Sequence, residues 1–147
     1  MRIGVPKEIK PQENRIGLTP DSVRSLTSNG HEVLIESDSG FEAGFDNEQY
    51  KRSGAKIASR AEDIFNDSQI IVKVKEPLNS EIKMIRENQI IFTYLHLAAG
   101  KELTEGLVKS KSVCIAYETV TDNNGRLPLL APMSAVAGRM SIQAGAH

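Results

Sequence analysis

The chain has 147 residues, of which 25% are charged and 39% hydrophobic, with a formal net charge of −1. That length suits one domain that buries about 70% of its unfolded surface. The near-neutral balance, without any basic block, argues against nucleic acid or an anionic membrane as partner, and no apolar run approaches the ~20 residues a bilayer span needs. Aromatics are only 5%, with no Trp, so base-stacking platforms are lacking. The single cysteine, Cys114, lies in an apolar run and reads as a small core residue, not as part of a disulfide framework. The N-terminus enters a strand-like segment directly, without a signal peptide, and a reducing cytoplasm is the expected setting.

In chain order, residues 2–5 read as a short strand closed by Pro6, followed by a polar loop over residues 7–15. Thr19 is suited to cap a helix that has Pro20 in its first position and Gly30 past its end, with Val23 and Leu26 facing inward. Residues 31–36 form a second strand, with His31 as a turn residue. The loop over residues 37–46 holds Gly40 and Gly44 at a spacing that matches neither a dinucleotide turn nor a P-loop. A short helix at 47–52, a short strand at 55–58 and a helix at 61–65 follow. Next come a strand from Ile70 that Pro77 closes, a helix at about 80–87 and a strand from Ile90. An amphipathic helix at 101–109 has Leu103, Leu107 and Val108 inward, and a strand at 112–117 follows it.

The sequence 122–125, Asp-Asn-Asn-Gly, predicts a type I′ hairpin turn. From Pro132 onward Met133, Val136, Ala137, Met140 and Ala144 recur at helical spacing. Strands alternating with short helices predict an α/β fold: an open, parallel, Rossmann-like sheet with helices on both faces.

Chemistry gathers at strand ends. His96 follows the apolar run from Ile90, and ligands in such sheets bind beyond the carboxyl ends of the strands. A histidine there exchanges protons near neutral pH. Lys75 ends the neighbouring run, so parallel strands put both side chains at one edge. The competing reading makes Lys73 and Lys75 guards of an exposed sheet edge and His96 a satisfied core or helix-entry residue.

Five blocks complete the pattern. They are Gly4-Val5-Pro6-Lys7-Glu8 with Glu13 to Pro20, then Lys73-Val74-Lys75-Glu76-Pro77, and Tyr94-Leu95-His96-Leu97-Ala98-Ala99. Ala116-Tyr117-Glu118-Thr119 and the segment from Leu127 to Ser134 complete the set. In this order, over nearly the whole chain, they resemble alanine dehydrogenase. The wider family includes the α-subunit of proton-translocating nicotinamide nucleotide transhydrogenase, and the Lys-Glu-Pro and Leu-His-Leu-Ala blocks favour the dehydrogenase.

The resemblance implies NAD-dependent oxidative deamination of L-alanine to pyruvate and ammonia, and the reverse, usually in a hexamer. It maps the substrate site onto Arg15, Lys75, His96 and Met133, with Ser134 near the cofactor. It further implies that residues 1–130 belong to the substrate domain and 131–147 to a helix leading into an NAD-binding domain beyond His147. Gly17 stands where the family often has Ala, and Ala135 where an acidic residue is expected.

The chemistry of a small 2-oxo or 2-amino acid accounts for these residue types independently. Its carboxylate needs a fixed cation, and Arg15 offers a planar fork. Lys75 polarises the keto oxygen or imine nitrogen, and His96 moves protons. Met133 walls a methyl pocket, or is only helix core. Taken without the resemblance, Arg15 reads as a solvated loop residue and Ser134 as a helix-start residue, while Glu118 is either a site carboxylate or a solvated one. Two other classes remain open: a carboxylate-binding module without catalysis, and an assembly domain as in a transhydrogenase subunit.

Overall fold

The computed structural model describes residues 1–147. Six strands form one all-parallel sheet in the order β3-β2-β1-β4-β5-β6: β1 (Arg2–Val5), β2 (Glu32–Glu36), β3 (Lys56–Ala58), β4 (Ile70–Val72), β5 (Ile90–Thr93) and β6 (Val113–Ala116). The expected parallel neighbours are present, with Ile70 opposite Ile90 and Ile90 opposite Val113. The helices are α1 (Pro20–Ser28), α2 (Asn47–Arg52), α3 (Ala61–Asp67), α4 (Asn79–Ile82), α5 (Lys101–Ser110) and α6 (Ala131–Ala146). None is long and apolar enough to cross a membrane.

Local chemistry sets the boundaries. The Thr19 hydroxyl accepts the Ser22 amide at 3.3 Å and Pro20 opens α1. Asp46 and Gln49 form a reciprocal cap on α2, each amide bound at 2.7 Å by the other's side chain. Gly4 has no side chain because α3 packs against β1 there. An added Cβ would lie 2.3 Å from Ser68 Oγ and 2.7 Å from Ile64 Cγ2.

The two sheet faces are filled differently. Ile3, Val5, Val33, Ile35 and Val72 meet Val23 of α1 and Tyr50 of α2. The Tyr50 hydroxyl donates to the Leu18 carbonyl at 2.9 Å, and burial pushes its pKa up to about 12. On the other face Leu34, Ile71 and Ile91 meet Ile64 and Phe65 of α3 and Leu107 of α5. Helices thus lie on both faces, but α1 and α2 sit over the β3-β2-β1 half. Val113 and Ile115 of β6, the edge strand, are exposed, as are Val136, Met140 and Ile142 of α6, a helix that buries no residue.

Several boundaries and orientations differ from the sequence reading. The helix expected at 80–87 closes after one turn, at Ile82. Val108 is 73% exposed, not inward; Leu103 and Leu107, four residues apart, make the buried stripe, and Val108 lies about 100° round the helix. The turn at 122–125 is not type I′. Only Gly125, at φ 73°, has positive φ, whereas type I′ needs it at both central residues. Asp122 holds that turn by accepting the Asn124 and Arg126 amides.

Lys73 is not an edge guard. β4 is central, and Lys73 is 1% exposed between two carboxylates, Glu81 Oε1 at 2.6 Å and Glu8 Oε2 at 3.3 Å. Removing the cation strands both carboxylates in the interior. Lys73→Met should therefore destabilise the chain by about 3–5 kcal/mol, whereas Val136→Ser on exposed α6 should stay within about 0.5 kcal/mol. Urea unfolding of the two variants checks this, and similar small losses in both would contradict a buried, mutually dependent cluster.

Candidate active site

β1 lies between β2 and β4, where the strand order reverses, and such a point favours ligand binding at the carboxyl edge. A cleft of about 370 Å³ opens there, lined by Arg15, Lys73, Val74, Tyr94, Tyr117 and Met133 among others. A groove of about 430 Å³ with Arg24 and Arg52 lies between α1 and α2, and an apolar hollow of about 450 Å³ flanks Phe92 and Leu129. The smaller cleft is the candidate site because segments that follow five of the six strands converge on it.

Arg15 arrives on the loop between β1 and α1. Glu13 accepts from its Nε at 2.7 Å and its Nη2 at 2.5 Å, and Nη1 points to Met133 Sδ at 2.9 Å. Arg15 is thus not a free loop cation: its fork is already oriented across the cleft. The hydrogen bonds from Arg15 hold the Glu13 carboxyl below its ordinary value against an opposing push from burial, and the Lys75 charge adds to the lowering. Gly17, further along the loop, presses on β4, where an added Cβ would come within 2.9 Å of the Val72 carbonyl oxygen. An alanine there requires the loop or the strand backbone itself to shift.

Lys75 is half-buried just past the end of β4, with Nζ 3.7 Å from Glu76 Oε2. Its backbone is held on both sides. The Thr93 hydroxyl donates to its carbonyl at 2.9 Å, and Glu8 Oε1 accepts the Val74 amide at 2.6 Å and the Lys75 amide at 3.4 Å. Burial raises the Glu8 pKa, and the Lys73 charge works against that rise.

His96 is exposed and in the left-handed region, at φ 49° and ψ 42°. Histidine is among the side chains enriched there, at a cost of about 1–2 kcal/mol. The Glu118 carboxylate, half-buried at the end of β6, accepts the Leu95 amide at 3.1 Å and the His96 amide at 2.6 Å. It is neither a solvated group nor one aimed into the cleft. Tyr117 beside it stacks edge-on against Phe92 and Tyr94, at 4.3 Å and 4.9 Å between ring centres, and burial raises its pKa further above the ordinary tyrosine range. Tyr94 in turn donates to the Leu129 carbonyl.

The geometry brings Arg15 and Met133 into direct contact. Lys75 and His96 occupy the ends of adjacent strands, but neither lines this cleft nor touches Arg15. Ser134 is exposed in the first turn of α6, its hydroxyl donating to the Leu130 carbonyl at 3.3 Å, so it is not the cap of that helix. Sequence reasoning missed Glu8, Lys73 and Glu81 as a cluster, and Tyr94 and Tyr117 as cleft walls. The signal for the first was available: a lysine inside an apolar strand needs a buried partner.

Residues 4–137 match the family model described as alanine dehydrogenase/PNT, N-terminal domain. The chain belongs to this family. It is 52% identical over 147 residues to an alanine dehydrogenase from Staphylococcus epidermidis, covering all of this chain and 39% of that protein. A solved L-alanine dehydrogenase superposes with a TM-score of 0.94 at 52% identity, over 99% of this chain and 40% of the other. A transhydrogenase from Sinorhizobium meliloti shares the fold, with a TM-score of 0.78 at 22% identity over 84% of this chain and 35% of the other. The chain spans about 40% of the length of its alanine dehydrogenase relatives.

In this alanine dehydrogenase-family domain the Glu13–Arg15 pair has a defined pH signature. A carboxyl whose folded pKa is lowered adds stability above its unfolded value, and that stability is lost as pH falls through the folded value. Below pH 4.5, the ordinary value for Glu13, the urea midpoint should therefore drop with falling pH. Glu13→Gln should flatten part of that drop. Identical slopes for variant and wild type would show that the pair contributes nothing to stability.

Proposed function

We propose that this chain is the substrate-binding, N-terminal part of an NAD-dependent alanine dehydrogenase. The reaction is oxidative deamination of L-alanine to pyruvate and ammonia, and its reverse. The observation that carries this reading is the oriented Arg15 fork against the Met133 thioether, over a cleft at the carboxyl edge, in a chain of this family. Arg15 binds the substrate carboxylate, exchanging part of its contact with Glu13 for the ligand. Met133 packs against the substrate methyl. Lys75, its peptide held by Glu8 and Thr93, presents an ammonium that stabilises charge on the keto oxygen or imine nitrogen. His96, exposed at the end of β5, gives and takes the protons that carbinolamine formation and collapse require.

These residues do not by themselves make a dinucleotide site. The connection from β1 to α1 carries no Gly-rich turn, and its length and polar loop do not form a phosphate cradle. NAD, the hydride acceptor in this reading, is therefore held mainly outside residues 1–147, with Ser134 at its edge. Residues 131–147 are the link toward that site. Assembly as a homohexamer in the cytoplasm completes the proposal and rests on the family resemblance alone.

In the complete dehydrogenase, Arg15→Ala should chiefly raise the KM for pyruvate, by less than the ~1.5–3 kcal/mol of a full charged hydrogen bond, because Glu13 already shares the fork. His96→Ala should chiefly lower kcat, by roughly 100- to 10,000-fold. Steady-state kinetics separate the two, and an unchanged kcat in His96→Ala would remove its acid–base role. The 147-residue chain alone should yield no NADH from L-alanine, because placement of the reacting groups is worth about 7–11 kcal/mol of the barrier. Turnover by that chain, read as NADH absorbance, would put the cofactor site within it.

A further inference from the structure

We propose that Glu118 is the positioning residue for His96: one carboxylate at the end of β6 grips the backbone amides that hold the histidine in place. The inference rests on the acid–base role of His96 given above. Two successive N–H groups, of Leu95 and His96, turn toward the same carboxylate; Leu95 lies 3.1 Å from Oε1 and 3.2 Å from Oε2, and His96 lies 2.6 Å from Oε1. Successive amides around a left-handed residue form an anion-binding concavity. Here the residue is His96 itself, and the anion comes from this chain.

No hydrogen bond fixes the ring directly. His96 is exposed, and its imidazole makes no hydrogen bond. Its position is therefore inherited from its backbone, and the backbone conformation is one that side chains rarely adopt. Leu95, 2% exposed, anchors the near side in the core, and the Ala99 amide bound to the His96 carbonyl at 3.0 Å closes the far side. Glu118 supplies the charge that holds the turn between them. Its own place is set by Tyr117, wedged between Phe92 and Tyr94 of the neighbouring strand and its exit, so the two strand ends lock each other.

A misplacement of about 1 Å at a catalytic group can cost about 100-fold in rate without loss of binding. Glu118→Ala should therefore lower kcat of the complete dehydrogenase by roughly 10- to 100-fold and leave the KM for pyruvate nearly unchanged. Glu118→Gln, which keeps an acceptor oxygen but not the charge, should fall between. In the 147-residue chain, the Leu95 and His96 amides should exchange with deuterium faster in Glu118→Ala, while amides of β1 and β4 keep their protection and so report an intact fold.

The deciding measurement is a double-mutant cycle. If Glu118 acts through the histidine, Glu118→Ala adds little further loss to His96→Ala. A full additional loss on that background overturns the proposal, as does wild-type turnover in Glu118→Ala. If His96→Ala itself keeps full turnover, the acid–base reading fails instead; amide exchange then still decides whether Glu118 clamps the turn.

Discussion

A lysine with no access to water sets the geometry of this molecule. Lys73 leaves the end of β4, Glu8 comes from the loop after β1, and Glu81 from the turn of helix at α4, where it also accepts the Leu78 amide at 2.9 Å. Three segments distant in sequence meet at one ammonium. Such clusters are poor sources of net stability, since apolar residues of like size often do as well or better. What this one fixes is position. An apolar core tolerates sliding between loops, whereas a buried cation between two carboxylates has only one satisfied arrangement. Lys73 and Val74 border the cleft, so the buried cluster and the site share a wall.

From that wall the same device recurs outward. Glu8 pairs with Lys73 through one oxygen and accepts amides of Val74 and Lys75 through the other. Thr93, fully buried, takes the carbonyl of Lys75 from the β5 side. At the end of β6 a carboxylate, Glu118, again accepts backbone amides, those of Leu95 and His96. The peptides that carry Lys75 and His96 are thus themselves fixed at the strand ends. Fixing the peptide removes the backbone share of the ordering cost before substrate binds, while the rotamer freedom of the long lysine side chain is still lost on binding.

Much of the fold was legible in the sequence because it depends on local chemistry and period. Thr19-Pro20 and the alternation of apolar strands with short helices led to the observed elements, whereas the Asp46–Gln49 cap emerged only from the structure. The orientation of side chains on short elements was less legible. Val108 follows Leu107 on an apolar run, and only the packing of α5 against the sheet tells which of the two is buried. The turn at 122–125 carries the right residues for a hairpin, but no strands flank it to impose the twist that selects type I′. The competing edge-guard reading of Lys73 could not be dismissed from sequence, because an edge strand and a central strand can have the same composition. Which one β4 is depends on the β1–β4 pairing, a contact between residues more than sixty positions apart. For the site, residue types and order gave Arg15, Lys75, His96 and Met133, yet their partners Glu13, Glu8 and Glu118 emerge only once the loops are placed.

The Arg15 fork shows how those partners change the energetics. A guanidinium standing free in solvent must lose its rotamer freedom when a carboxylate arrives. Arg15 has already lost it to Glu13 and Met133. An incoming substrate carboxylate therefore gains orientation without that cost, but meets a carboxylate already in place. Its net gain is the difference between two charge-assisted interactions, not the full value of one. Glu13 then has two opposing effects: it preorganises the cation and competes for it. Removing the Glu13 charge would release the fork to the ligand and at the same time let it wander. The balance rests on burial, because the Glu13 side chain is 9% exposed while that of Arg15 is 50% exposed. The carboxylate is the buried member of the pair, and it holds the more exposed arginine in place.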